Sequence, residues 1–114
     1  MSALAESRFV TATPEIQLLL NRVKERLSPK QVWLFGSRAR GDHRPDSDWD
    51  LLAVLSDDAP EALISPLVNW EISRGAGVAT TLLSTTESEL DSLWGLPNTI
   101  GYDLAREGVR LRVD

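Results

Sequence analysis

The side chains best suited to chemistry lie together in one stretch, GSRARGDHRPDSDWDLL, residues 36–52. Asp48 and Asp50 open an apolar run there. On a strand, residues two apart face the same side, which sets two carboxylates about 6 to 7 Å apart along the backbone. Such a pair suits Mg²⁺, which takes hard oxygen ligands while keeping waters and phosphate oxygens as the rest of its shell. Without a cation the two charges repel. Upstream of Asp48, with ten residues between, Gly36-Ser37 closes another apolar run. A strand that ends in Gly and enters a helical turn exposes backbone N–H groups at a positive dipole end, and the Ser hydroxyl adds a donor. That is a phosphate cradle, with Arg38, Arg40 and Arg44 nearby to neutralise outer phosphates. An anion cradle facing a cation site is what phosphoryl or nucleotidyl transfer requires.

Two strands must carry these groups. QVWLF at residues 31–35, bounded by Pro29 and Gly36, reads as a buried strand. Residues 37–41 read as one helical turn and residues 42–47 as a polar loop around Pro45. DWDLLAVLS at residues 48–56 is the second strand, with both acids at its entry and Trp49 turned the other way, into the core. Upstream, Thr13-Pro14-Glu15 supplies a hydroxyl cap, a first-turn Pro and an acid at a helix start. Ile16, Leu19, Leu20, Val23 and Leu27 then follow at helical spacing. Downstream, Pro60-Glu61 begins a helical stretch that either kinks at Pro66 or restarts there with Ser65 as N-cap. VATTLL at residues 78–83 is the third strand, and Ser84-Thr85-Thr86-Glu87 has a capping-box pattern for a short helix reaching Leu93. A last helix over residues 98–107 stops at Gly108 and leads into an edge strand over residues 109–113. The expected class is α/β (α+β), one small mixed β-sheet covered by helices, as a single domain over residues 11–114 behind a flexible tail over residues 1–10.

Composition narrows the partners. With 114 residues, 42% hydrophobic and 25% charged, the chain fits one globular domain, and the absence of Cys excludes thiol catalysis and thiolate-bound zinc. A formal charge of −5 disfavours extended nucleic-acid binding, so the arginines near Gly36 need a local explanation. No apolar run approaches the roughly 20 residues of a membrane span, and MSALAESRF does not read as a secretion signal, so the expected location is cytoplasmic with no membrane partner. His43 lies in the polar loop and reads as solvent-exposed; Trp33, Trp49, Trp70 and Trp94 read as core.

Gly-Ser, ten residues, then Asp-x-Asp, headed by GSRARG, resembles the signature of the nucleotidyltransferase (DNA polymerase beta) superfamily, and in particular its minimal nucleotidyltransferases. The spacing is the specific part: this composition produces the full pattern by chance about 0.004 times per chain, against about once for Asp-x-Asp alone. The Arg-Glu-Gly-Val run at residues 106–109 is also similar to small members of that family. The resemblance implies a nucleotidyltransferase fold and in-line attack of an acceptor hydroxyl on the α-phosphate of a nucleoside triphosphate, ATP, with pyrophosphate leaving. It assigns Asp48 and Asp50 to Mg²⁺, and Gly36 and Ser37 to the β- and γ-phosphates, with Arg38 and Arg40 beside them. It also implies a third carboxylate on a neighbouring strand, as metal ligand and base. Residues 78–83 offer only Val, Ala, Thr and Leu, with Thr80 and Thr81 at the expected place. A catalytically weak nucleotide- or partner-binding module of antitoxin type is therefore the alternative to a working transferase. The implied partner is a separate HEPN-type helical protein, as in toxin–antitoxin pairs, or a second copy of the chain, because no helical bundle accompanies the domain to hold an acceptor.

Overall fold

Side chains alternate across a strand, so the apolar runs within residues 31–35 and 49–55 send side chains to both faces of one sheet. The computed structural model describes residues 9–10 and 14–112. Five strands, β1 (Phe9–Val10), β2 (Gln31–Phe35), β3 (Trp49–Leu55), β4 (Thr80–Thr86) and β5 (Val109–Leu111), form one sheet in the order β1-β5-β2-β3-β4. β2 runs antiparallel to β3 and β5, while β1 is parallel to β5 and β4 parallel to β3. The helices are α1 (Pro14–Leu27), α2 (Ser37–Arg40), α3 (Pro66–Ser73), α4 (Glu87–Leu93) and α5 (Ile100–Glu107), with a 3-10 turn at Glu61–Leu63. This is the expected mixed sheet covered by helices.

Each face has its own core. Val32, Leu34, Leu51, Ala53 and Leu55 pack under the α1 stripe of Ile16, Leu19, Leu20, Val23 and Leu27 and under Ile72 of α3. On the other face Trp33, Leu52 and Val54 meet Leu90 of α4 and Leu104 of α5, and the Trp33 and Trp94 rings lie 5.5 Å apart. β3 is covered on both sides, which is why its sequence is an unbroken apolar run rather than an alternation.

Of the two expectations for the stretch after Pro60, the chain takes the restart: a 3-10 turn, then α3 beginning with Ser65 as N-cap, its hydroxyl accepting the Leu67 N–H at 3.1 Å. Other expectations need correction. β4 begins and ends later than residues 78–83, because its parallel register continues through Ser84, Thr85 and Thr86 against Ala53, Val54 and Leu55. The cap of α4 is consequently Thr86, whose hydroxyl accepts the Glu89 N–H, and not Ser84. β5 is an interior strand, because Phe9 and Val10 pair outside it. The rest of the expected tail, residues 1–8, and the Thr13 cap lie outside the described residues. Trp70 is exposed rather than in the core.

Candidate active site

The chain leaves β2 at Phe35 and turns into α2 through Gly36, whose φ of 73° and ψ of −158° only glycine adopts readily. Phe35 is paired across the sheet with Asp50 of β3, which brings the Asp50 carboxylate against the Gly36 backbone. A Cβ at Gly36 would collide with Asp50 Oδ2 and lie 3.1 Å from its Cγ. Ala39 and Arg40 donate their N–H groups to the Gly36 carbonyl at 3.1 Å each, whereas the Ser37 and Arg38 amides donate to no group among the described residues. Free first-turn amides beside a glycine without a side chain are what an anion needs, and the acid that faces them lies one strand away.

Trp49 fixes the direction of the acids. It is buried in the α1 face of the sheet, so its neighbours Asp48 and Asp50 are directed to the opposite side. Asp48 is exposed just before β3, and Asp50 is half-buried on it. Burial raises the Asp50 pKa above the ordinary carboxylate value and the negative charge of Asp48 pushes it the same way, against a smaller lowering by Arg40; Glu107 adds the least, upward. A carboxylate held among like charges and partly desolvated is one that a divalent cation relieves.

The arginines divide into two roles. Arg38 reaches away from the cradle: Nε donates to the Ser47 carbonyl at 3.0 Å, Nη2 to the Pro45 carbonyl at 3.1 Å, and the guanidinium lies 4.3 Å from the Trp49 ring centre. It braces the loop that delivers Asp48, and these donors are occupied there. Arg40 stays near the acids, donating from Nε to Asp42 at 3.1 Å and from Nη1 to Glu107 at 3.1 Å. These bonds raise its pKa, Asp42 contributing most. Ala39, Arg40, Asp103, Arg106 and Glu107 line a cleft of about 620 Å³ between α2 and α5, inside the roughly 300 to 1,000 Å³ of ordinary small-molecule sites. Arg44 and His43 are exposed on the loop.

Residues 16–107 match the family model of the nucleotidyltransferase domain. This chain belongs to that family. Among solved structures, a toxin–antitoxin crystal structure with AMP-PNP matches with a TM-score of 0.59 at 17% identity, over 86% of this chain and 72% of that one. A candidate nucleotidyltransferase from Sulfolobus solfataricus matches over 96% of this chain and 86% of that one, with a TM-score of 0.45 at 22% identity. No curated protein sequence matches. The first likeness is one of fold.

In this nucleotidyltransferase domain the β3–β4 register sets Thr81 directly beside Asp50 and Thr80 beside Trp49. Thr81 is exposed, while Thr80 donates its hydroxyl to the Val78 carbonyl at 3.2 Å. Of the two threonines singled out from sequence, Thr81 is therefore the one beside Asp50. Among the described residues no group of three or more His, Cys, Asp or Glu is placed to hold a metal. The donor set fits a cation that arrives with its nucleotide, two carboxylates from the protein and phosphate oxygens and water for the rest. An ion pair of Arg40 with Asp42 was legible in the sequence; Glu107, its other anchor, was not. The signal for Glu107 was the Arg-Glu-Gly-Val run at residues 106–109, which marked the segment without giving it a task.

Proposed function

We propose that this nucleotidyltransferase domain uses ATP and Mg²⁺ to transfer AMP to a hydroxyl on another molecule. The observation that supports this best is the contact of Asp50 with Gly36: the phosphate cradle and the carboxylate pair share one edge of the β2–β3 junction. Asp48 and Asp50 would hold Mg²⁺, which when bound supplies charge neutralisation at the phosphates. The Ser37 and Arg38 amides and the Ser37 hydroxyl would receive the terminal phosphates, and Arg40, released from Asp42 and Glu107, would meet their outer charge. Arg38 holds the Asp48 loop in position. The cleft beside Arg40 is open to the remainder of the nucleotide. The acceptor comes from a separate protein, for which an HEPN-type helical partner is the class suggested by the family resemblance; the AMP-PNP and the toxin–antitoxin setting of the structural neighbour agree with that reading.

Incubation with ATP labelled at the α-phosphate, Mg²⁺ and a helical partner tests it. Label should pass to the partner with the wild type and not with Asp48→Asn. Equal transfer by both would reject the site. Thr81 beside Asp50 favours a second reading, in which the domain binds Mg–ATP and turns over slowly or not at all. Tight Mg–ATP binding without label transfer to any acceptor selects that reading.

A further inference from the structure

We propose that the outer edge of β4 joins two copies of this chain into an antiparallel dimer. β4 is the terminal strand of the sheet, seven residues long, and the opposite edge, among the described residues, is β1, Phe9–Val10. The Trp49 N–H donates to the Ala79 carbonyl at 2.9 Å. With the parallel register, that bond turns the backbone groups of residues 79, 81, 83 and 85 toward β3 and those of Thr80, Leu82, Ser84 and Thr86 outward. Among the described residues, none of the N–H groups of these four donates to another backbone group outside the β3–β4 ladder. Protein edges of this length are ordinarily blunted by Lys, Pro, a bulge or a covering loop. TTLLSTT contains no charge, no Pro and no Gly.

The occupant of this edge is a second copy of the chain. About Leu83 the strand reads nearly the same in both directions, so a two-fold axis there sets Thr80 against the partner's Thr86, Thr81 against the partner's Thr85, and Leu82 against the partner's Ser84. The outward backbone groups are symmetric about the same residue, so Leu82 and the partner's Ser84 form a hydrogen-bonded pair. Leu83 then faces its own copy in a non-hydrogen-bonded pair, where Cα atoms approach to about 4.5 Å. Leu83 is 41% exposed, large for an apolar residue in mid-strand. Beside it a groove of about 270 Å³ is lined by Ile64, Pro66, Leu83 and Ser84 among others. On α3, which packs against β4, Leu67 and Trp70 are 64% and 56% exposed one turn apart. A strand from an unrelated protein would use the backbone equally well but gains nothing from the palindrome. The dimer does not depend on the nucleotide reading.

Sedimentation velocity of the full chain over a range of concentrations should reveal a monomer–dimer equilibrium. Leu83→Lys sets like charges opposite each other and removes the apolar pair, so the dissociation constant should rise roughly tenfold or more with the far-UV spectrum retained. Mixing Leu83→Lys with Leu83→Glu should restore a dimer containing one of each. The chain has no Cys, so Leu83→Cys introduces one thiol at a spacing within disulfide reach of its copy and should cross-link on oxidation. Leu18→Cys, more exposed than Leu83 but on α1, should not. A chain that stays monomeric, a dimer indifferent to Leu83→Lys, or cross-linking no faster at position 83 than at position 18 overturns the proposal.

Discussion

Replacing Gly36 by Ala tests the joint between cradle and acid. Two costs add. At φ 73° and ψ −158° a residue with a side chain is strained by about 1 to 3 kcal/mol. The new Cβ also collides with Asp50 Oδ2, so the Asp50 side chain must leave its rotamer at a further cost of about 0.5 to 1.5 kcal/mol. The sum, about 2 to 4 kcal/mol, corresponds to a fall in melting temperature of roughly 10 °C or more for a domain of this size. Thermal melting followed by circular dichroism gives the total, and a double-variant cycle separates its parts. Asp50→Ala leaves only a Cβ, 3.4 Å from the introduced methyl, which is ordinary contact. The Ala at position 36 should therefore cost about 1 kcal/mol less in the Asp50→Ala background, with the backbone strain remaining. At temperatures where Gly36→Ala is still folded, Mg–ATP affinity should fall because Asp50 has turned away. A variant that melts within about 2 °C of the wild type and binds Mg–ATP equally well would refute the contact on which the site reading rests.

The Asp50 pKa is raised in the folded chain, so the folded state holds that proton more tightly than the unfolded one; stability falls as pH rises from the ordinary carboxylate range through the raised value, and the penalty is complete above it. Asp50→Asn should flatten that decline and melt above the wild type at pH 7 in the absence of metal, while Mg²⁺ should raise the melting temperature of the wild type only; a variant that melts lower at every pH contradicts this. Arg38→Lys keeps the charge but loses the planar fork on the Ser47 and Pro45 carbonyls and the stack on Trp49, so its melting temperature should drop by several degrees, as for Arg38→Ala. Unchanged melting with weakened ATP binding in both would instead make Arg38 a phosphate ligand. Thr81→Asp supplies a carboxylate at the position paired with Asp50 and should raise label transfer about tenfold or more at saturating Mg²⁺; no change in rate would mean that position 81 does not reach the reacting group.

What was legible in the sequence was whatever local pattern decides. The buried runs of β2 and β3, the α1 stripe and the Gly36-to-Asp50 spacing all follow from periodicity and from residues close in the chain. The features missed depend on partners far along it. Phe9 and Val10 are a strand only because Arg110 and Leu111 lie beside them. β4 extends to Thr86 because β3 runs to Leu55 beside it, a match that the polar residues Ser84, Thr85 and Thr86 do not advertise. Arg38 and Arg40 look alike as basic residues in GSRARG, yet one turns to loop carbonyls and the other to a carboxylate on α5, and side-chain direction on a single helical turn is fixed by what surrounds it. The absence of an acid from β4 was visible from composition; that Thr81 and not Thr80 stands beside Asp50 required the register.

The proposed function requires one metal–nucleotide site shared between the Gly36-Ser37 turn and the Asp48–Asp50 pair. Calorimetric titration of ATP into the full chain, with Mg²⁺ and again with chelator, measures it directly. One ATP should bind per site, with affinity at least roughly tenfold weaker without Mg²⁺ and in Asp50→Asn, since both remove the link between carboxylates and phosphates. ATP binding of equal strength with chelator and in the variant would contradict a shared site.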